Sequence, residues 1–326
     1  MDALLTKESL ARVADELGPL GVRAICWEGD GSLSLNGTPI SANDVHPEVG
    51  WISFDVFMQK QMAGYVEALC QFDSLRWVQT GNAGLDNPLY QPLLERGVRI
   101  SKSWAQSIPI AEYVLGYALH HLHDIDARVS DSRNGQWVTA PFRELYGTRW
   151  LIIGFGHIGR RVSVRARAFD CHVTALRRST VESSDVDEVI RYNELHDALA
   201  RSDVVVLACP QTSETTGMVD DKFVASMKAG SLLINIARGG LIDDDTLLRG
   251  LKRGTPEAAV LDVFHEEPLP TGHPYWAHPQ VIVTAHMSNA GNGTVGRGVI
   301  QFLENLRAYI GGEPVSDEVD PASVGT

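Results

Sequence analysis

No stretch of this 326-residue sequence is apolar over the roughly 20 residues that a membrane span requires. Cysteine is scarce. Cys26, Cys70, Cys171 and Cys209 are scattered with no C-x-x-C pair, the pattern of reduced, mostly buried thiols in a cytosolic protein. Positive charge is in deficit: 28 Lys and Arg face 41 Asp and Glu, a net charge of −13. That balance argues against nucleic acid or an anionic membrane surface as a partner, while leaving room for a local basic pocket around a charged small molecule. The opening Met1-Asp-Ala-Leu-Leu-Thr-Lys-Glu8 lacks the basic-then-apolar order of a signal peptide. There is no internal repeat and no low-complexity tract. These absences predict a cytoplasmic globular protein, long enough for two domains.

What the sequence does carry is Leu151-Ile-Ile-Gly-Phe-Gly-His-Ile-Gly159. Three apolar residues read as the end of a buried strand. Gly154, Gly156 and Gly159 follow at G-x-G-x-x-G spacing. Ile158, Val162, Ala166 and Phe169 then fall on one helical face. A strand, a glycine turn and a helix N-terminus make a pyrophosphate site: the first glycine permits the turn, the second lets the backbone approach the phosphates, and the third packs helix on strand.

Around this loop the pattern alternates between strands and helices. Val22–Trp27, Trp51–Phe57 and Leu75–Thr80 read as strands of a small α/β unit, with a helix at Gln59–Leu69 and a loop at Gly29–Asn36. A long helix is expected from Ile108 to His123, then a polar stretch from Asp124 to Gly147. Beyond the glycine loop, His172–Leu176, Val204–Cys209, Ser231–Ala237, Ala258–Val263 and Gln280–Thr284 are apolar strands, and Val299–Ile310 is a final helix. Continuous apolar strands alternating with helices imply a parallel sheet covered on both faces. The glycine loop normally opens its domain but here begins about 150 residues in. The predicted division is therefore 1–104 with 291–326, and 105–290, joined by a hinged cleft.

Ligands of open parallel sheets bind outside the carboxyl ends of the strands. There stand Arg238, the carboxylates of Asp262-Val-Phe-His-Glu-Glu-Pro268, and His286. Each alone has an ordinary explanation: a surface ion pair, a solvated loop, a satisfied loop histidine. Their convergence beside a dinucleotide loop favours function.

At this point the chain resembles the D-isomer-specific 2-hydroxyacid dehydrogenase family. The resemblance is carried by Gly154-Phe-Gly-His-Ile-Gly159, Pro210-Gln-Thr-Ser-Glu-Thr215, Asn235-Ile-Ala-Arg-Gly239, Leu261-Asp-Val-Phe-His-Glu-Glu-Pro268 and His286, in that order, with Gly81-Asn-Ala-Gly-Leu-Asp86 similar to the family's carboxylate-binding loop. It spans roughly residues 75–315. It implies a Rossmann dinucleotide-binding domain plus a smaller flavodoxin-like α/β substrate domain, and hydride transfer between NAD(P)H and a small 2-oxo acid, in the direction of reduction. By the same resemblance Arg238 binds the substrate carboxylate and 2-oxygen, and backbone N–H groups of Ala83 and Gly84 hold the other carboxylate oxygen. His286 donates the proton, Glu267 orients the imidazole, and Asp262 holds the nicotinamide carboxamide. Glu266 is the weaker alternative to Glu267. Expected cofactor contacts are Gly154, Phe155, Gly156, His157, Ile158, Gly159, Arg177, Arg178, Ser179, Cys209, Pro210, Thr215, Ile236, Ala237 and Asp262.

The pattern also departs from the family. Ala285 replaces the usual proline, Met287-Ser-Asn-Ala-Gly-Asn292 is unusual, and Ser101–Ser107 replaces a glycine-bearing crossover; these bear on the shape of the pocket. An NAD site usually places an acid about 20 residues past the glycines. Here Arg177-Arg-Ser-Thr180 follows the second strand, and no acid appears before Glu182, which predicts NADP over NAD. Phe54, Phe57 and Trp276 are candidate pocket walls, core packing being the simpler explanation. NADP-preferring glyoxylate and hydroxypyruvate reductases share this design. Glu267 argues against formate dehydrogenase, where glutamine partners the histidine, and the sequence ending predicts no added regulatory domain. His120, His121, His123 and Asp124 read as a helix end rather than a metal site. A homodimer is expected through the helix 108–123, whose Ile110, Tyr113, Val114 and Tyr117 exceed one face's need. The rival reading is a non-catalytic NAD(P)-sensing corepressor of the same fold.

Overall fold

The computed structural model describes residues 1–178 and 184–319. The chain divides into two compact units: Met1–Gln106 with Asn292–Thr326, and Ser107–Gly291.

The first unit is built on seven strands: β1 (Asp2–Thr6), β2 (Arg23–Trp27), β3 (Leu33–Leu35), β4 (Thr38–Ile40), β5 (Pro47–Ile52), β6 (Trp77–Thr80) and β7 (Arg99–Ser101). Their order is β4-β3-β2-β1-β5-β6-β7, parallel except for β3 and β4. Helices α1 (Lys7–Leu17), α2 (Phe54–Met58), α3 (Met62–Cys70) and α4 (Gln91–Glu95) belong to this unit. The last helix of the chain, Thr294–Gly311, seals one face of the sheet, where Phe302 stacks on Trp51 at 4.4 Å and Tyr309 on Trp77 at 5.5 Å. Such aromatic stacks add to plain area burial.

Three readings of this unit change. The central strand β1 is absent from the sequence reading, because Asp2-Ala-Leu-Leu-Thr6 is too short to show alternation; all five residues are buried. The expected strand Trp51–Phe57 ends at Ile52 and turns into α2. There Asp55 is buried and accepts hydrogen bonds from Ser53 Oγ (2.6 Å) and Thr6 Oγ1 (2.7 Å), with Arg12 at 3.0 Å. A buried carboxylate must be satisfied, and only the tertiary neighbours satisfy this one. The expected loop Gly29–Asn36 contains β3, which pairs with β4 across Asn36-Gly37, both at positive φ. Asn-Gly is the two-residue hairpin signal that the reading passed over.

The second unit opens with helix α5 (Ser107–Leu122) and α6 (Ile125–Arg133), the latter inside the polar stretch 124–147. Its sheet comprises β8 (Arg149–Ile153), β9 (His172–Leu176), β10 (Glu188–Ile190), β11 (Val204–Leu207), β12 (Leu232–Asn235), β13 (Ala258–Leu261) and β14 (Val281–Val283). All are parallel, in the order β10-β9-β8-β11-β12-β13-β14. This is the doubly wound order, whose direction reverses between β8 and β11. Helices α7 (His157–Arg167), α8 (Leu195–Arg201), α9 (Asp221–Ser226) and α10 (Asp244–Lys252) complete the unit, and Thr294–Gly311 is α11. Two apolar clusters cover the two faces of the sheet. Every residue of β11 and β12 is buried, as a parallel sheet covered on both sides requires.

In α7, Val162 and Ala166 are buried, but Phe169 lies past the helix and is 46% exposed. In α5, Ile110 and Val114 belong to the unit's own core, and Tyr113 and Tyr117 pack against it.

Candidate active site

The reversal point between β8 and β11 lies where the glycine loop runs. Gly154 has φ +99, and a Cβ there would strike the backbone of Ala208 and Cys209 at the end of β11. A Cβ on Gly159 would strike the carbonyl of Gly154. At Gly156, which caps α7, a Cβ would meet nothing. Two glycines are thus demanded by packing, and the middle one faces open space before a helix N-terminus. That is the cradle a pyrophosphate needs, with the positive end of the helix dipole behind it.

The rim of this loop is formed by neighbouring turns. Thr215 Oγ1 donates to the Pro210 carbonyl at 2.8 Å and accepts from Thr212 N at 2.8 Å, fixing the turn after Cys209. Burial pushes the Cys209 thiol up to about 11, so it stays neutral. Ile236 and Ala237 are buried at the end of β12. Beyond β9, Arg178 lies 3.2 Å from Glu214, with both side chains 75% exposed. Ser179 and Glu182 lie outside the described residues.

Three strand ends supply the polar groups. After β12, Asn235 is fully buried and folds the chain back on itself: its Nδ2 donates to the Arg238 carbonyl (2.9 Å) and its Oδ1 accepts from Ala237 N (3.0 Å). Asn235 appears in the sequence reading only as part of a motif; its stapling role has no sequence signal. Gly239 follows, and a Cβ there would collide with the backbone of Phe264 and His265. After β13, Phe264 N donates to Glu267 Oε1 at 2.9 Å, and His265 Nε2 lies 2.8 Å from the Ile242 carbonyl. After β14 comes His286, whose Nδ1 is 2.8 Å from Glu267 Oε2.

A carboxylate only accepts, so His286 Nδ1 carries the proton of this bond and Nε2 is left for a reacting group. The hydrogen bond to Glu267 raises the pKa of His286 above the usual imidazole value; burial and the charge of Arg238 oppose this, and the charges of Glu267 and Asp262 add to it. Burial pushes Glu267 upward, but bonds from His286 and Phe264 N, with the charges of His286 and Arg238, outweigh it and hold the carboxyl below its ordinary range. Both shifts run in the direction of an imidazolium–carboxylate pair, with the Arg238 charge close enough to act on each partner. Glu266 is exposed and forms no part of it.

Asp262 is 0% exposed, and its carboxylate accepts Thr284 Oγ1 (2.6 Å), Met287 N (2.8 Å) and Ser288 N (3.0 Å). These bonds tie its carboxylate to the segment that follows β14. Trp276 is 53% exposed and donates to the Pro270 carbonyl at 2.9 Å. In the first unit, Phe57 packs on the core while Phe54 lines a small pocket with Arg12, Trp51, Thr80 and Gly81. The loop after β6 is held by Gln106 Nε2 on the Gly81 carbonyl (2.9 Å) and by Ser103 N on the Asn82 carbonyl (2.7 Å), leaving Ala83 and Gly84 partly exposed. Among the described residues, no group of three or more His, Cys, Asp or Glu could hold a metal ion, and no helix is long and apolar enough to cross a membrane.

Residues 115–288 match the family of D-isomer specific 2-hydroxyacid dehydrogenases, NAD binding domain. The D-3-phosphoglycerate dehydrogenase of Mycobacterium tuberculosis is 32% identical over 257 residues, covering 78% of this chain and 48% of that protein. The chain thus spans about half the length of that relative. A glyoxylate reductase of Thermofilum pendens is 30% identical over 252 residues, covering 74% of this chain and 73% of the reductase. The crystal structure of a D-isomer specific 2-hydroxyacid dehydrogenase from Xanthobacter autotrophicus Py2, in complex with NADPH and MES, is 25% identical, with a TM-score of 0.77 and 98% of each chain covered.

Proposed function

The chain belongs to the D-isomer-specific 2-hydroxyacid dehydrogenase family, and we propose that it reduces a small 2-oxo acid to the D-2-hydroxy acid with NADPH, NADH being the poorer donor. The observation that carries this is the 2.8 Å contact between His286 and Glu267, at strand ends beside the glycine cradle and within the field of Arg238. The reduced nicotinamide, when bound, supplies the hydride. Arg238 binds the carboxylate and polarises the 2-oxygen through charge-assisted hydrogen bonds. His286 gives its Nε2 proton to that oxygen and takes it back in the reverse direction. Glu267 fixes the ring and favours its charged form.

A small acid is proposed because a glyoxylate reductase is among the relatives, 30% identical over 74% of this chain. NADPH is favoured by the arginine pair after β9 and the lack of an acid there up to Glu182. A homodimer is part of this reading, with α5 and the segment 137–146 as its candidate contacts; in the latter Trp137 is 98%, Tyr146 71% and Phe142 55% exposed. Isolated exposed apolar residues are ordinary, but three large aromatics within ten residues mark a contact surface. The direct test is a panel of 2-oxo acids, including glyoxylate and hydroxypyruvate, followed by the near-ultraviolet absorbance of the reduced nicotinamide. Turnover of a small acid supports the reading. Tight nucleotide binding with no turnover of any acid would replace it with a nucleotide sensor.

A further inference from the structure

His286 sits at φ +50, in the left-handed region that a histidine occupies only when its surroundings hold it there. The hydrogen bonds that hold it trace back to one residue. His286 N donates to the Asp262 carbonyl at 2.8 Å, and the next two N–H groups, of Met287 and Ser288, donate to the Asp262 carboxylate at 2.8 and 3.0 Å. Thr284 Oγ1 gives its proton to the same carboxylate at 2.6 Å. A threonine hydroxyl has one proton. With that proton committed, the 2.6 Å contact between Thr284 Oγ1 and Tyr113 must be donated by the tyrosine. Tyr113 comes from α5, and burial raises its phenol pKa, so it remains a donor at any working pH.

We propose that Tyr113, Thr284 and Asp262 form a positioning chain that holds His286 in its left-handed turn and so aims the imidazole at Glu267. The proposal rests on His286 being the proton donor of the reaction. It explains why a carboxylate stands at 262: the surrounding groups are all donors, and an amide would set its own N–H₂ against one of them. It also assigns a role to α5 that its apolar pattern conceals.

The test uses the full chain with isotope-labelled histidine, following the ring titration by NMR and assigning it with His286→Ala. The unmodified protein should titrate this ring above roughly 6.5. Thr284→Val breaks the chain at its middle and should bring the titration down, because the ring drifts from Glu267. Turnover should fall by about 10²-fold, the usual cost of a misplaced reacting group. Tyr113→Phe should shift both in the same direction, with turnover down roughly 2–10-fold, the net worth of one hydrogen bond. Thr284→Ser, which keeps the hydroxyl, should restore both. Asp262→Asn should lose turnover. An unmoved ring titration in Thr284→Val and Tyr113→Phe, or no rescue by serine, overturns the proposal. If Thr284→Val does not fold, by circular dichroism, Tyr113→Phe decides. Should the unmodified enzyme turn over no 2-oxo acid, the functional reading fails while the titration series still decides the chain.

Discussion

Gly239 and Phe264 run backbone against backbone, so closely that any side chain at 239 would enter the peptide between Phe264 and His265. The contact joins the turn bearing Arg238 to the loop whose Phe264 N–H holds Glu267. Gly239→Ala should therefore displace Arg238 and Glu267 together. Overpacking costs about 1–3 kcal/mol. The expected outcome is a lower melting temperature by calorimetry and a loss of turnover larger than the stability loss explains. A variant with unchanged kcat/KM would show that the two loops are independent.

Removing the proposed proton donor should be specific to chemistry. His286→Ala is expected to lower turnover by about 10²–10⁴-fold, the usual contribution of general acid–base catalysis, with NADPH affinity nearly intact. Near-normal turnover would refute the assignment.

The pH profile follows from the raised pKa of His286. A donor must be protonated, so reduction persists below that value and is lost as pH rises through it; oxidation gains over the same range. Glu267→Gln removes the charged partner, which favours the imidazolium. The descending limb of kcat/KM for reduction should then move to lower pH. An unmoved limb would mean that Glu267 does not partner the donor.

Cofactor choice should lie in Arg177 and Arg178. The Arg178–Glu214 pair is exposed, and such pairs are worth little, so a 2′-phosphate can displace the glutamate. Replacing both arginines by alanine should raise KM for NADPH far more than for NADH. An unmodified enzyme preferring NADH would sink the claim.

Self-association is the remaining expectation. Light scattering at micromolar concentration should give twice the chain mass, and Trp137→Ser with Phe142→Ser should reduce it to one. A monomeric unmodified protein would refute the dimer.

Much of this protein is legible in its sequence because the second unit obeys local rules. Buried parallel strands are continuous apolar runs, and β9 falls at His172–Leu176, the range that its apolar run predicts. The glycine spacing is a demand of close backbone approach, so it survives in one dimension. Arg238, Glu267 and His286 could be named as candidates because each follows a recognisable strand. What the tertiary structure decided are features whose partners lie far away in the chain. β1 is central only because β2 and β5 flank it. The chain turns after Ile52 where Thr6 and Arg12 satisfy Asp55. The inward turn of Asp262 depends on Thr284, Met287 and Ser288, and through Thr284 on Tyr113, 149 positions before Asp262. Periodicity reports which face of an element is apolar; it carries no record of which polar group will meet which, because hydrogen bonds are directional and are settled only when the elements pack.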